Sequence, residues 1–424
     1  MLCRRGLRVQ LKGKKITGLL SVATCSLLCT PVQADEGEWD IDAAVLYYAE
    51  DDGRVEAIEP VISAKKDLGD EESVSMKLVI DSLTGSSPNG AVPSTQVQTF
   101  IKPSGDSTYQ VAPNETPLDP SFKDTRVAYS MNWEKPYDRN NRRNYGFNIS
   151  KEYDFTSISA NALWQHDANK KNTTYSYGFN LEFDEIEPVG DVPDPLTSMY
   201  DQMKGDSSDT RNVIDLLFGV TQVIDRTSLF QVNLTLSESD GYMTDPYKIV
   251  SVVDDVSGEP VDQLYENRPD SRSRQGLYGK YRKTLANDDV FTASYRYMTD
   301  DWGVDSNTFD FTYRFKFSNG YYLQPRLRLY DQTAADFYAY FLLDGDPVPN
   351  EVSADYRLGE MDTTTVGIKF GREVDRQHSW SVRLEQYEQT GESSPSEAVG
   401  QLRNQDLYPD VTATIVQFSY AFIF

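Results

Sequence analysis

Apolar side chains recur at every second position along most of the chain, with polar residues between them. Trp39, Ile41, Ala43, Val45 and Tyr47 share one face, and Asp40 and Asp42 take the other. The same alternation runs through Val74 to Ile80, Val127 to Trp133, Tyr145 to Ile149, Ile158 to Trp164 and Tyr175 to Phe183. It continues through Ile214 to Val220, Phe230 to Leu236, Phe291 to Tyr297 and Phe309 to Phe317. Tyr321 to Leu329, Val366 to Phe370, Trp380 to Leu384 and the terminal run to Phe424 follow, with weaker segments at Ile58 to Ile62 and Leu277 to Tyr281. A period of two is that of a strand with one apolar face, because successive side chains of an extended backbone point to opposite sides. Pro325 is expected to break its ladder locally, since it has no N–H to donate.

This reading predicts sixteen strands, with a margin from fourteen to eighteen, each of roughly nine to twelve residues, the length a tilted strand needs to cross a bilayer. The connections then sort by side. Short turns fall at Leu68 to Ser73, Asp225 to Thr227, Leu285 to Asp289, Ser318 to Gly320 and Val374 to Gln377. Long loops fall at Ser82 to Lys123, Asp184 to Arg211, Glu238 to Asp270, Asp331 to Met361 and Gln389 to Asp410. Short periplasmic turns and long extracellular loops are the pattern of a transmembrane antiparallel β-barrel. The pattern is less regular from Trp133 to Thr174, where Glu134 to Arg143 and His166 to Thr173 read as long inner turns around a short outer one near Glu152. A soluble sandwich or propeller also alternates, but its strands average about five to six residues. Tyr420, Phe422 and Phe424 alternate onto the apolar face and resemble the terminal signal read by the barrel assembly machinery.

The N-terminus adds the compartment. Six basic residues precede the apolar run from Ile16 to Cys29, and Val32-Gln33-Ala34 follows, the layout of a signal peptide cut after Ala34. The expected division is therefore a cleaved segment 1–34 and one barrel domain over 35–424, exported to the outer membrane of a Gram-negative cell. All three cysteines lie in the leader, so the barrel has no disulfide. It carries 35 basic against 66 acidic side chains, a net charge of −31, which excludes nucleic acid as a partner. Outer-membrane lipid and lipopolysaccharide are the expected surroundings.

Chemistry is sparse. His166 and His378 are the only histidines, and both fall at turns far apart in sequence. No Gly-x-Ser-x-Gly, Walker or Rossmann pattern is present, so no enzyme, cofactor or catalytic residue is expected. The acidic loops lack the spacing of a calcium site, and no metal is expected. The lumenal face says more. Opposite the apolar positions of the later strands stand Lys280, Arg282, Arg296, Arg314, Lys316, Arg326, Arg328, Lys369 and Arg383, with Asp310 and Glu385 among few acids. The earlier strands contribute Asp40, Asp42, Glu59, Asp81, Glu134 and Glu182, with Lys77 as an exception. A basic arc facing an acidic arc would order polar solutes in a water-filled, porin-like passive channel. Alternatively these charges neutralise one another, and the barrel is a closed scaffold for a periplasmic, surface or lipoprotein partner. The segment Ser82 to Lys123 is the expected constriction.

Six strings carry a family resemblance: DSLTGSSPNGA (Asp81 to Ala91), PSG (Pro103 to Gly105), KEYD (Lys151 to Asp154), TQVIDR (Thr221 to Arg226), GYMTDPYK (Gly241 to Lys248) and SADYRL (Ser353 to Leu358). Together they resemble a bacterial family known as domain of unknown function 3570, over nearly the whole exported chain. The resemblance implies an outer-membrane barrel and a redox-type partner for the scaffold reading. It brings no established substrate or catalytic residue.

Overall fold

A computed structural model describes residues 37–424, so the expected signal peptide lies outside the described residues. The strands in chain order begin with β1 (Trp39–Glu50), β2 (Glu56–Gly69), β3 (Glu72–Pro88), β4 (Gln98–Ile101) and β5 (Thr108–Val111). Next come β6 (Leu118–Asp138), β7 (Asn141–Lys151), β8 (Phe155–Ala168), β9 (Thr173–Ile186), β10 (Asp209–Asp225) and β11 (Ser228–Gly241). They continue with β12 (Ile249–Val253), β13 (Pro260–Tyr265), β14 (Ser271–Thr284), β15 (Val290–Asp300) and β16 (Asp305–Lys316). The last are β17 (Tyr321–Gln332), β18 (Leu342–Leu343), β19 (Met361–Glu373), β20 (His378–Gly391) and β21 (Val411–Ile423).

Sixteen of these close into one antiparallel barrel, in the order β1-β2-β3-β6-β7-β8-β9-β10-β11-β14-β15-β16-β17-β19-β20-β21. They are the sixteen segments that alternate in the sequence. Closure is made by β1 on β21, with Trp39 and Phe424 exchanging backbone hydrogen bonds of 2.7 and 3.0 Å at the rim. A closed barrel leaves no unpaired edge, which lets a sheet cross lipid.

Strand polarity follows the alternation. Val45, Tyr47, Leu181, Phe183, Leu216, Phe218, Val366, Ile368, Leu384 and Phe418 stand exposed on the outer surface. Their inward neighbours include Ser159, Asn180, Gln231, Asn233 and Gln417, all buried. A slip of one residue would exchange the two faces of a strand, so the apolar exterior fixes the register. Aromatic rings gather at the short-turn rim: Trp164 stacks on Tyr177 (ring centroids 5.8 Å), Phe370 meets Tyr321 and Trp380, and Tyr420, Phe422 and Phe424 form a row. Rings at that height match the aromatic belt of a membrane interface.

The irregular stretch is a matter of strand length. β6 continues to Asp138 and β7 starts at Asn141, so the turn is Arg139-Asn140, closed by the Asp138 carboxylate accepting from the backbone N–H groups of Asn140 (2.8 Å) and Asn141 (2.9 Å). The next strands likewise extend to Ala168 and from Thr173. Both supposed long inner turns are therefore short, because polar residues past the apolar run still pair. At Pro325 the β16–β17 ladder lapses between Thr312–Arg326 and Phe315–Leu323.

The long loops are not loose. They build a cap over one end from a three-stranded sheet, β13-β12-β18, and the β4–β5 hairpin. Its apolar interior comes from separate loops: Phe100, Met199, Ile249 and Tyr265 in one cluster, Val92, Val253, Phe341 and Leu402 in another. Gly90 makes one of the closest approaches. Its φ is +101°, and a Cβ there would sit 2.3 Å from the Ile249 carbonyl oxygen. Gly90→Ala should loosen the cap by about 1–3 kcal/mol, read as faster proteolysis of the loops with an unchanged barrel.

Candidate functional site: the lumen and its cap

Strand alternation places every charge expected in the lumen on the inner face. On β14 to β20 the nine basic residues of the basic arc are joined by Arg272 and Arg274. Among the described residues, the acids on that wall are Asp300, Asp310, Glu373 and Glu385. Asp40, Asp42, Glu59, Asp81, Glu134 and Glu182 point inward from β1, β2, β3, β6 and β9, with Asp167, Asp184 and Asp215 beside them from β8, β9 and β10. The two halves of the wall thus carry opposite surplus charge.

Each half also contains counter-charges. Arg126 pairs with Asp81, Arg142 reaches Asp167 at 3.2 Å and Glu134 at 3.9 Å, and Arg211 pairs with Asp184. On the basic side, Arg326 bridges Asp310 (3.2 Å) and Glu385 (3.1 Å), Arg314 meets Glu373 at 2.9 Å, and Arg272 meets Asp300 at 2.7 Å. Arg326 keeps 23% of its side chain accessible and Arg314 15%, so both are largely buried in these ion pairs and reach the lumen only in part. The inner wall is not polar throughout. Leu46, Val61, Val79 and Ile415 make a buried apolar patch on β21, β1, β2 and β3, against Tyr48, Ala128 and Tyr387.

Five of the six distinctive strings meet in the cap. The Lys248 ammonium donates to the Pro88 carbonyl, and the Ile249 N–H donates to the Asn89 carbonyl at 2.9 Å. Tyr247 donates its hydroxyl to Asp154. The carbonyl of Pro103 lies where a Cβ on Gly190 would collide with it. At the centre, Arg357 binds Asp355 through Nε (2.6 Å) and Asp245 at 2.7 Å. Arg268 lies 2.6 Å from Glu266 and 2.8 Å from Asp355, and the Ser353 hydroxyl donates to Glu266. Glu266 and Ser353 are fully buried, and Asp355 is 1% exposed. Burial pushes the Glu266 carboxyl above its ordinary range, against the pull of Arg268, and pushes the Lys248 ammonium below its own. TQVIDR lies apart, ending β10 at the short turns.

The network holds Tyr356 over the barrel mouth. Its ring meets Tyr408 edge-on (centroids 6.0 Å, planes at 85°), and the Tyr408 hydroxyl accepts from Gln389 of β20 at 2.9 Å. The Ser353–Leu358 segment thus shares the cap with the Ser82 to Lys123 stretch expected to form the constriction. Residues 89–117 of that stretch pack into the cap through Ala91, Val92 and Phe100. The histidines do not come together: His166 bonds Asn141 at the end of β8, and His378 bonds Asp375 at the start of β20.

A closed sixteen-stranded barrel with an apolar exterior and a charged interior is a membrane barrel of the outer-membrane type. The chain belongs to the family described as protein of unknown function (DUF3570), whose model matches residues 17–422. No curated protein matches it. Among solved structures it is similar to a mutant of the ferric enterobactin receptor PfeA from Pseudomonas aeruginosa, at 8% identity and TM-score 0.43, covering 91% of this chain and 59% of that one. The chain thus spans about three-fifths of that receptor's length. It is also similar to the CymD monoaromatic hydrocarbon channel, at 8% identity and TM-score 0.41, over 92% of this chain and 90% of that one. A bacterial polysaccharide outer membrane secretin shares 9% identity at TM-score 0.42, over 92% and 99%.

Proposed function

We propose that the protein is a passive channel for small hydrophilic solutes in the outer membrane of a Gram-negative cell, with its cap on the extracellular side. The supporting observation is the separation of charge across the lumen: a basic surplus on β14 to β20 faces an acidic surplus on β1 to β11, with Arg314 and Arg326 partly accessible. A wall that only had to be neutral would mix the signs evenly. In planar bilayers the folded protein should give conductance steps, and Arg314→Ala or Arg326→Ala should shift the ratio of cation to anion permeability. Steps unchanged in size and selectivity by both substitutions would remove the basic wall from the mechanism.

A second reading, a closed scaffold barrel engaging a periplasmic or lipoprotein partner, is favoured by the cap, because loops joined by buried ion pairs lie over one end of the barrel. A stable complex recovered from solubilised membranes, together with silence in bilayers, would select it. In both readings the outer face contacts membrane lipid and lipopolysaccharide, and Tyr420, Phe422 and Phe424 serve recognition by the barrel assembly machinery.

A further inference from the structure

The carboxylates of the basic wall are already engaged. Asp300 is held by Arg272, Asp310 and Glu385 by Arg326, and Glu373 by Arg314. Three further guanidinium groups, Arg274, Arg296 and Arg328, have no carboxylate within ion-pairing distance among the described residues. Arg274 is held by hydroxyls, with Ser239 at 3.2 Å and Ser237 at 3.5 Å. Arg296 and Arg328 lie on β15 and β17, on either side of β16, close enough for their charges to repel.

Register shows what surrounds them. Arg296 is level with Tyr278 on β14, Thr308 on β16 and Tyr330 on β17. Arg328 is level with Asp310 on β16, already taken by Arg326, and with Thr365 on β19. The local wall is thus two guanidinium groups among the hydroxyls of Tyr278, Thr308, Tyr330 and Thr365, with the Asp310 carboxylate beside Arg328. Guanidinium presents five N–H donors in a planar fork that matches an oxyanion, and like charges held together in a narrow lumen are stabilised by an anion between them. Lys369 lies further along the same wall toward the short-turn end.

We propose that Arg296 and Arg328 form an oxyanion-binding station in the lumen, with Arg274 on its outer side, which selects small phosphate- or carboxylate-bearing solutes for passage. The station rests on the channel reading for its role in transport, but its binding is measurable without transport. The two arginines act as a pair, because a single point charge in a wetted lumen is shared with water, whereas two guanidinium forks on neighbouring stretches of one wall hold the anion by several charge-assisted hydrogen bonds.

The test uses the full exported chain folded in detergent and titrated with inorganic phosphate by calorimetry, with acetate as the carboxylate probe. Saturable phosphate binding is expected, weakened tenfold or more in R296Q/R328Q and retained in Lys77→Gln on the opposite wall. R296K/R328K, which keeps the charges but not the forks, should bind phosphate with intermediate affinity. Binding of acetate but not phosphate would narrow the class to carboxylates. Absence of saturable binding of either anion, or binding unaffected in R296Q/R328Q with heat-modifiable folding intact, overturns the station. In bilayers, phosphate should reduce the chloride current of the wild-type protein and not of the double variant. Protein that binds phosphate but gives no conductance would defeat the channel reading and leave the station standing.

Discussion

Asp355→Ala should release the cap while leaving the barrel folded. Asp355 accepts from both Arg268 and Arg357 and is 1% exposed, so its removal takes one of two carboxylates from each of these guanidinium groups, leaving Arg268 with Glu266 and Arg357 with Asp245. Breaking a buried ion pair by deleting one partner costs about 3–5 kcal/mol, mostly as the penalty of the charge left behind. The barrel does not share this cost, because its ladder is closed strand to strand without the cap. Limited proteolysis should cut the Ser353–Leu358 and Gly241–Lys248 segments at least a hundredfold faster, with the heat-modifiable band retained. If the cap also narrows the mouth, conductance should rise, since Tyr356 loses its tether. Glu187→Ala is the contrast: Glu187 meets Lys151 at 3.5 Å with both side chains roughly half exposed, and surface pairs of this kind are worth under about 1 kcal/mol. Equal protease sensitivity in the two variants would mean that the buried network does not hold the cap.

The barrel was legible in the sequence because lipid outside and water inside impose one constraint on every strand. Wherever one face must be apolar, the alternation names the strand, and Val366, Ile368 and Phe370 read as clearly as Tyr175, Tyr177 and Phe179. Strand ends were less legible, because pairing continues into polar sequence beyond the bilayer. That is why β6 runs on through Lys135 to Asp138 and why the turns around Trp133 to Thr174 look long.

The same effect hid half of the lumenal ion pairs. Arg126 and Arg142 lie one and three residues before the alternating apolar runs of their strands, and Asp184 and Asp300 one and three residues past theirs, so a reading that stops at the apolar run leaves them out of the strands. Continuing the alternation by one to three residues would have placed all four on the inner face. The cap had no such signal. Phe100, Met199, Ile249 and Tyr265 come from three different loops and have no common period, so their contact exists only once the barrel brings the loop ends together. The family strings were the one hint, since five of them lie in or at the loops of the capped end.

Leu216→Arg should cost about 2–4 kcal/mol in membranes, the expected price of a cation at the bilayer midplane. Leu216 lies near the middle of β10 on the outer face, opposite Phe179 of β9 and Leu236 of β11. Arginine there has no lumenal partner, because its neighbours on the same face are apolar. Tyr137→Arg, at the short-turn end of β6 and 66% exposed, should cost no more than about 1 kcal/mol, since the penalty fades toward the interface. Urea titration of folding into lipid vesicles reads both values. The contrast matters more than either number, because a soluble β-structure would accept Arg on any exposed face at similar small cost. A loss at mid-strand Leu216 of β10 much larger than at Tyr137 near the rim of β6 follows only if the outer face of the barrel is set in lipid. Equal, small losses at Leu216 and Tyr137 would mean that the apolar exterior meets another protein surface or water, and the channel reading would fall with it.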